Sequence, residues 1–70
     1  MPDLRGLGEE IRRLRTEQGL TPEQLAQRCR LKLEDVLAVE AGEEEPLRNT
    51  VVTLAIGLGA SPTALLRMMR

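Results

Sequence analysis

The stretch TPEQLAQRCRLKLEDVLAVEAG, residues Thr21 to Gly42, reads as two short helices joined by a tight turn. Thr21 is placed to cap the first helix, and Pro22 suits its first position, where a missing N–H costs nothing. Gln24 stands three residues beyond Thr21, where a capping-box side chain reaches back to the cap N–H. Leu20 before the cap and Leu25 inside the helix form a hydrophobic staple. Apolar residues Leu25, Ala26 and Cys29 continue through Leu31 to Leu33, Val36, Leu37 and Val39. Their phase resets near Arg30–Lys32, so one unbroken helix would lose its single apolar face. Gly42 supplies a left-handed stop. This is the pattern of a helix-turn-helix.

Outward from this stretch the chain keeps the same grammar. Asp3 caps a first helix, in which Leu4, Leu7, Ile11 and Leu14 make one apolar stripe. Glu9 and Arg13, four apart, form a favourable pair of about 0.2–0.5 kcal/mol. Gly6 and Gly8 weaken the first turns, which predicts fraying there. Gly19 ends that helix. Beyond the central stretch, Val51, Leu54, Ala55 and Leu58 take core spacing in a fourth helix closed by Gly59. Ser61–Pro62 opens a fifth, with Leu65, Leu66 and Met69 facing inward. The expected helices are 4–18, 22–29, 33–41, 48–58 and 62–69. They make one all-α domain over residues 1–70, a compact five-helix bundle.

Composition narrows the chemistry. Seventy residues are close to the smallest size at which a core is stable without a staple. Ten Lys and Arg stand against eleven Asp and Glu, a formal charge of −1, with no His. One cysteine allows no internal disulfide, and its place on an apolar helix face marks Cys29 as a small core residue. Without His, no donor set remains for a protein-made zinc site, and nothing suggests a cofactor. The longest apolar run, Val51 to Ala60, is about half the length a membrane span needs. No signal-peptide core appears in MPDLRGLGEE. The expectation is a soluble cytoplasmic protein. With no aromatic residue, base stacking on rings is excluded as a recognition device. No nucleophile stands beside a base and no glycine-rich phosphate loop is present, so an enzyme is not expected.

The residues also carry a family resemblance. Gly8-Glu9-Glu10-Ile11, Leu14-Arg15, Gly19-Leu20-Thr21 and Leu25-Ala26 are followed by Val36, Val39-Glu40, Gly42 and Pro46. Leu54-Ala55, Leu58-Gly59 and Leu65-Leu66 complete the register. In this register the chain from Gly8 to Leu66 resembles the helix-turn-helix domain of Cro/CI-type (XRE family) phage repressors and bacterial transcriptional regulators. The resemblance implies a lambda-repressor-like fold. It also implies an ion pair between Arg15 and Glu40, and a second motif helix that lies in the major groove of double-stranded DNA. Its base-reading positions fall on Lys32, Leu33, Glu34, Leu37 and Ala38. Phosphate-holding positions fall on Pro22 and the loop Glu43–Glu45. With Thr21, Arg28 and Arg30 added, the candidate DNA-binding set is Thr21, Arg28, Arg30, Lys32, Leu33, Glu34, Leu37 and Ala38. Relatives often pair two-fold through their last two helices, which places a homodimer interface on Val52, Ile56 and Met68.

Several of these side chains depart from the family's habit. Between Lys32 and Glu45 one cation stands against six carboxylates, a formal −5, where relatives place Gln, Ser, Thr, Arg or Lys. Phosphate neutralisation supplies most non-specific affinity for DNA, so the acidic loop 43–45 weakens it. Arg28, Arg30 and Lys32 form the best remaining basic cluster. Arg30 stands where the family favours a turn glycine, which predicts a positive φ at roughly 1 kcal/mol. The alternative reading is a degenerate helix-turn-helix that holds a protein partner on Leu33 and Leu37.

Overall fold

Asp3 accepts a hydrogen bond from the Gly6 N–H at 2.8 Å, capping helix α1 (Leu4–Glu17). The computed structural model describes residues 1–70. Helices α2 (Pro22–Cys29), α3 (Leu33–Ala41), α4 (Arg48–Leu58) and α5 (Pro62–Arg67) complete an all-α bundle measuring 30 × 21 × 19 Å. The first helix stops one residue before the expected Gln18, which turns out as its cap. The last stops at Arg67 rather than Met69. There the N–H groups of Met68, Met69 and Arg70 bond three residues back, tightening the final turn instead of extending the α-helix.

Local chemistry sets most boundaries. Thr21 accepts from the Gln24 N–H at 3.1 Å while its own N–H donates to Gln24 Oε1 at 2.8 Å, a complete capping box. Ser61 caps α5 through the Ala64 N–H. By contrast, α3 and α4 start on Lys32 and Leu47 with no side-chain cap. Glu34 and Asp35 in the first turn of α3 offset part of that loss by facing the positive end of its dipole. Arg30 closes α2 at φ 55°, the one non-glycine residue in the left-handed region.

Each helix contributes a narrow apolar stripe to one core. Leu7 and Ile11 come from α1, Leu25, Ala26 and Cys29 from α2, and Val36 and Val39 from α3. Val51, Leu54, Ala55 and Leu58 of α4 and Leu65 of α5 complete it. Leu14, Leu20, Leu66 and Met69 pack half-buried around the rim. No buried side-chain nitrogen or oxygen lacks a hydrogen-bond partner.

The start of α1 is packed against the end of α3. Gly8 is buried where α1 crosses the end of α3. A Cβ there would lie 2.5 Å from the Glu40 carbonyl oxygen and 2.6 Å from that of Val39. At the end of α3 in the same crossing, Gly42 takes φ 66°, and a Cβ on it would meet Arg5 Cα and Leu4 O at 2.8 Å. Glycine at both positions lets two backbones approach as side chains would not allow. The chain end is held as well, because the Asp3 N–H donates to the Met68 carbonyl at 2.6 Å.

Candidate nucleic-acid interface

The geometry of the motif is fixed from behind by one arginine. Arg15 of α1 donates from Nε to Glu40 Oε2 at 2.7 Å and from Nη2 to Glu40 Oε1 at 3.1 Å. Its Nη1 donates to the Leu20 carbonyl at 2.8 Å. The two side chains are only 11% and 10% exposed, so the pair is shielded from water and salt. The hydrogen bonds to Glu40 hold the Arg15 guanidinium above its ordinary pKa against the opposing effect of burial. One residue therefore ties α1, the loop into α2, and the end of α3. Glu40 is thereby spent inside the protein, leaving five exposed carboxylates on α3 and its following loop: Glu34, Asp35, Glu43, Glu44 and Glu45.

With Val36 and Val39 turned into the core, the outer face of α3 presents Glu34, Leu37, Ala38 and Ala41, spaced as neighbours on a helix. Leu37 is 47% exposed. Lys32 stands exposed at the cap. Leu33 is half-buried instead, lying with Ala26 and Leu31 in the crease between α2 and α3, beside Glu23, Gln27 and Arg30. It is thus less available to a partner than its neighbour one turn on. Thr21 remains on the surface, its hydroxyl oxygen taken by the α2 cap.

The basic cluster expected of Arg28, Arg30 and Lys32 is split. Arg28 turns toward the ends of α1 and α4. Its Nη1 donates to Gln18 Oε1 at 3.0 Å and to the Gly57 carbonyl at 3.4 Å, at the end of α4. Gln18 in turn donates to the Leu58 carbonyl at 2.7 Å. Together they satisfy helix-end carbonyls that have no partner within α4, with a cation where the dipole is negative. Periodicity within α2 gave no sign of this, since it depends on which distant element α2 touches. Arg30 and Lys32 are left as the cations around the motif turn.

Behind them, Cys29 packs on Thr53 and Gly57, and its thiol lies 3.7 Å from the Thr53 carbonyl. Burial raises its pKa despite the nearby Arg28, which suits an inert core thiol. The expected Glu9–Arg13 pair is replaced: Arg13 grips Glu10 through two hydrogen bonds of 2.9 and 2.6 Å and also reaches Glu17. This exposed network holds the Glu10 carboxyl below its ordinary range. No cluster of His, Cys, Asp and Glu is arranged to hold a metal ion.

Of the residues assigned to a two-fold interface, Ile56 stands out from α4, 68% exposed, and Val52 one turn away is half-buried. Met68 is half-buried as well, packing against the core, and its carbonyl is taken by Asp3. Leu47, just ahead of α4, is more exposed even than Ile56, at 77%. No helix is long and apolar enough to cross a membrane.

Comparison with known proteins agrees with this architecture. Among curated proteins, none matches the sequence. A crystal structure described as an HTH_3 family transcriptional regulator from Vibrio cholerae superposes with a TM-score of 0.80 at 26% identity. The match covers 93% of this chain and 36% of that one, so the chain spans about a third of the regulator's length. A family model described as a helix-turn-helix domain matches residues 6–70, and the chain belongs to that family.

Proposed function

We propose that this domain is the DNA-binding part of a transcriptional regulator of the Cro/CI type, entering the major groove with the outer face of α3. The observation that carries the reading is the exposed outer face of α3 in a helix-turn-helix that superposes on a transcriptional regulator. Lys32 and Arg30 hold phosphates on either side of the turn, while Glu34, Leu37 and Ala38 face the base edges. Thr21, at the start of α2, supplies a further phosphate contact. The working unit is a homodimer, as two half-sites demand, joined through Ile56 and Val52 on α4. The domain carries no chemistry of its own and works in the cytoplasm.

The acidic loop sets this reader apart. Five exposed carboxylates beside Lys32 make non-specific attraction to a duplex weak. Those carboxylates, together with Leu37 and Leu47, favour a second reading, in which the same surface holds a protein partner and DNA binding has been lost. Fluorescence anisotropy with labelled duplexes separates the two. A DNA reader weakens with salt at a log–log slope of roughly −0.9 per phosphate contact. A partner held by Leu37 is barely disturbed by salt, because apolar burial is unscreened. Folded protein that binds no duplex at low salt would reject the DNA reading.

A further inference from the structure

The outer face of α3 holds a restricted set of groups, and the major groove holds a restricted set of partners for them. Guanine is read through paired acceptors that call for Arg or Lys, and adenine through an acceptor and a donor that call for Asn or Gln. Helix α3, LEDVLAVEA, contains none of these four residues. It offers a carboxylate at Glu34 and apolar surface at Leu37 and Ala38, all exposed. Glu34 takes part in none of the chain's ion pairs, unlike Glu40, which Arg15 occupies. Asp35 lies to one side, in the crease with Glu44, Glu45 and Pro46.

An ionised carboxylate only accepts hydrogen bonds. Two groups on the major-groove edges donate to it: the amino groups of cytosine and adenine. Beside the adenine amino group lies N7, an acceptor that repels a carboxylate, whereas the cytosine edge has a C–H next to its amino group. Cytosine is therefore the one base that Glu34 can take without a like-charge contact. Leu37 and Ala38 can gain only where the groove itself is apolar, and the thymine methyl is the one such group.

Resting on the DNA-binding reading above, we infer that the half-site of this domain presents cytosine to Glu34 and thymine methyl groups to Leu37 and Ala38. Sequence is read through pyrimidine edges, with Lys32 and Arg30 supplying backbone contacts. A carboxylate on the reading face then has a second effect. It repels duplexes that lack the cytosine donor, so weak general affinity and selectivity arise from the same side chain.

The test uses the full chain and a pool of random duplexes selected for binding at low salt. Selected sites should share a C·G pair next to T·A pairs. Replacing that C·G pair should weaken binding about 5- to 160-fold. Replacing the adjacent thymines with deoxyuridine, which removes only the methyl, should weaken it about fourfold per methyl group. Glu34→Gln should shift the preference at that one position from cytosine to adenine, since the amide can pair with both adenine groups. The exposed site leaves folding intact, which circular dichroism checks. Selected sites without a common C·G pair, deoxyuridine duplexes bound as tightly as thymine ones, or an unchanged preference in Glu34→Gln would each overturn the inference while leaving DNA binding in place. Selection of no duplex at all overturns the DNA-binding reading and this inference together.

Discussion

Replacing Gly8 by alanine sets two effects of opposite sign against each other. In a helix interior, Gly→Ala is normally worth about 0.5–1 kcal/mol of added stability. At this position the new methyl would start 2.5 and 2.6 Å from two backbone oxygens at the end of α3. Carbon–oxygen contacts settle near 3.3 Å, so α1 and α3 would have to part by roughly 0.7 Å. Neither oxygen can swing away as a side chain would. The end of α3 is also held by Gly42 against α1 and by Arg15 on Glu40. Parting the crossing loosens Leu7 and Ile11, which are 1% and 0% exposed. Overpacking of this kind costs about 1–3 kcal/mol, and two immovable oxygens place it at the upper end. Net destabilisation should be about 2 kcal/mol, a fall in Tm of roughly 8–16 °C for a domain of this size. Thermal unfolding followed by circular dichroism measures it, with Glu9→Ala, an exposed neighbour, as the control expected within about 0.5 kcal/mol of the parent. A Gly8→Ala protein as stable as the parent, or more so, would refute the account of the crossing.

Other perturbations probe the core, the basic residues and the assembly. Leu54→Ala, at a position with no exposure, should cost about 2–5 kcal/mol in urea unfolding, a large share of what a small domain has. Arg28→Ala should lower stability by about 1 kcal/mol through the lost helix-end contacts yet leave the salt slope of DNA binding unchanged. Lys32→Ala should do the reverse, keeping Tm and reducing the slope by about one contact. Ile56→Glu should give a helical monomer by light scattering where the parent is a dimer; a monomeric parent at high concentration would remove α4 as an interface. Cys29 should resist a thiol reagent near pH 8 in the folded state and react fully in urea, because burial raises its pKa and blocks access.

The order of elements was legible because it rests on local signals. Thr21 with Gln24, the glycines at 19, 42 and 59, and Ser61 before Pro62 are each read within four residues of where they act. What escaped depends on contacts between distant parts of the chain. Gly8 looked like a weak helix residue because nothing near it in sequence shows that α3 ends against it. The turn of Arg28 toward the helix ends has no local signal, because its partners, Gln18 and Gly57, lie at the ends of α1 and α4. Arg13 had three acidic neighbours within reach, and spacing alone could not choose among them. The last helix ends at Arg67, and the Met68 carbonyl beyond it is taken by Asp3, a residue far away in sequence. At the candidate interface, the sequence showed which residues lie on α3, while the burial of Leu33 and the removal of Glu40 emerged only from packing.

The hydrogen bond from Asp3 to Met68 closes residues 3–68 into almost a ring. Nearly all of the loop-closure entropy of joining those two residues is therefore met by folding itself. A short peptide bridge between them would act on the unfolded chain alone, which would lose about 4 kcal/mol worth of freedom on closing a loop of this length. A ring can also be opened elsewhere. The exposed turn at Glu43–Glu45 joins two helices that lack side-chain caps at their starts, and cutting there would sever no core contact. The order in which the helices are strung on the chain is thus separable from the way they pack, and the arrangement of α2, α3 and Arg15 would survive the rewiring.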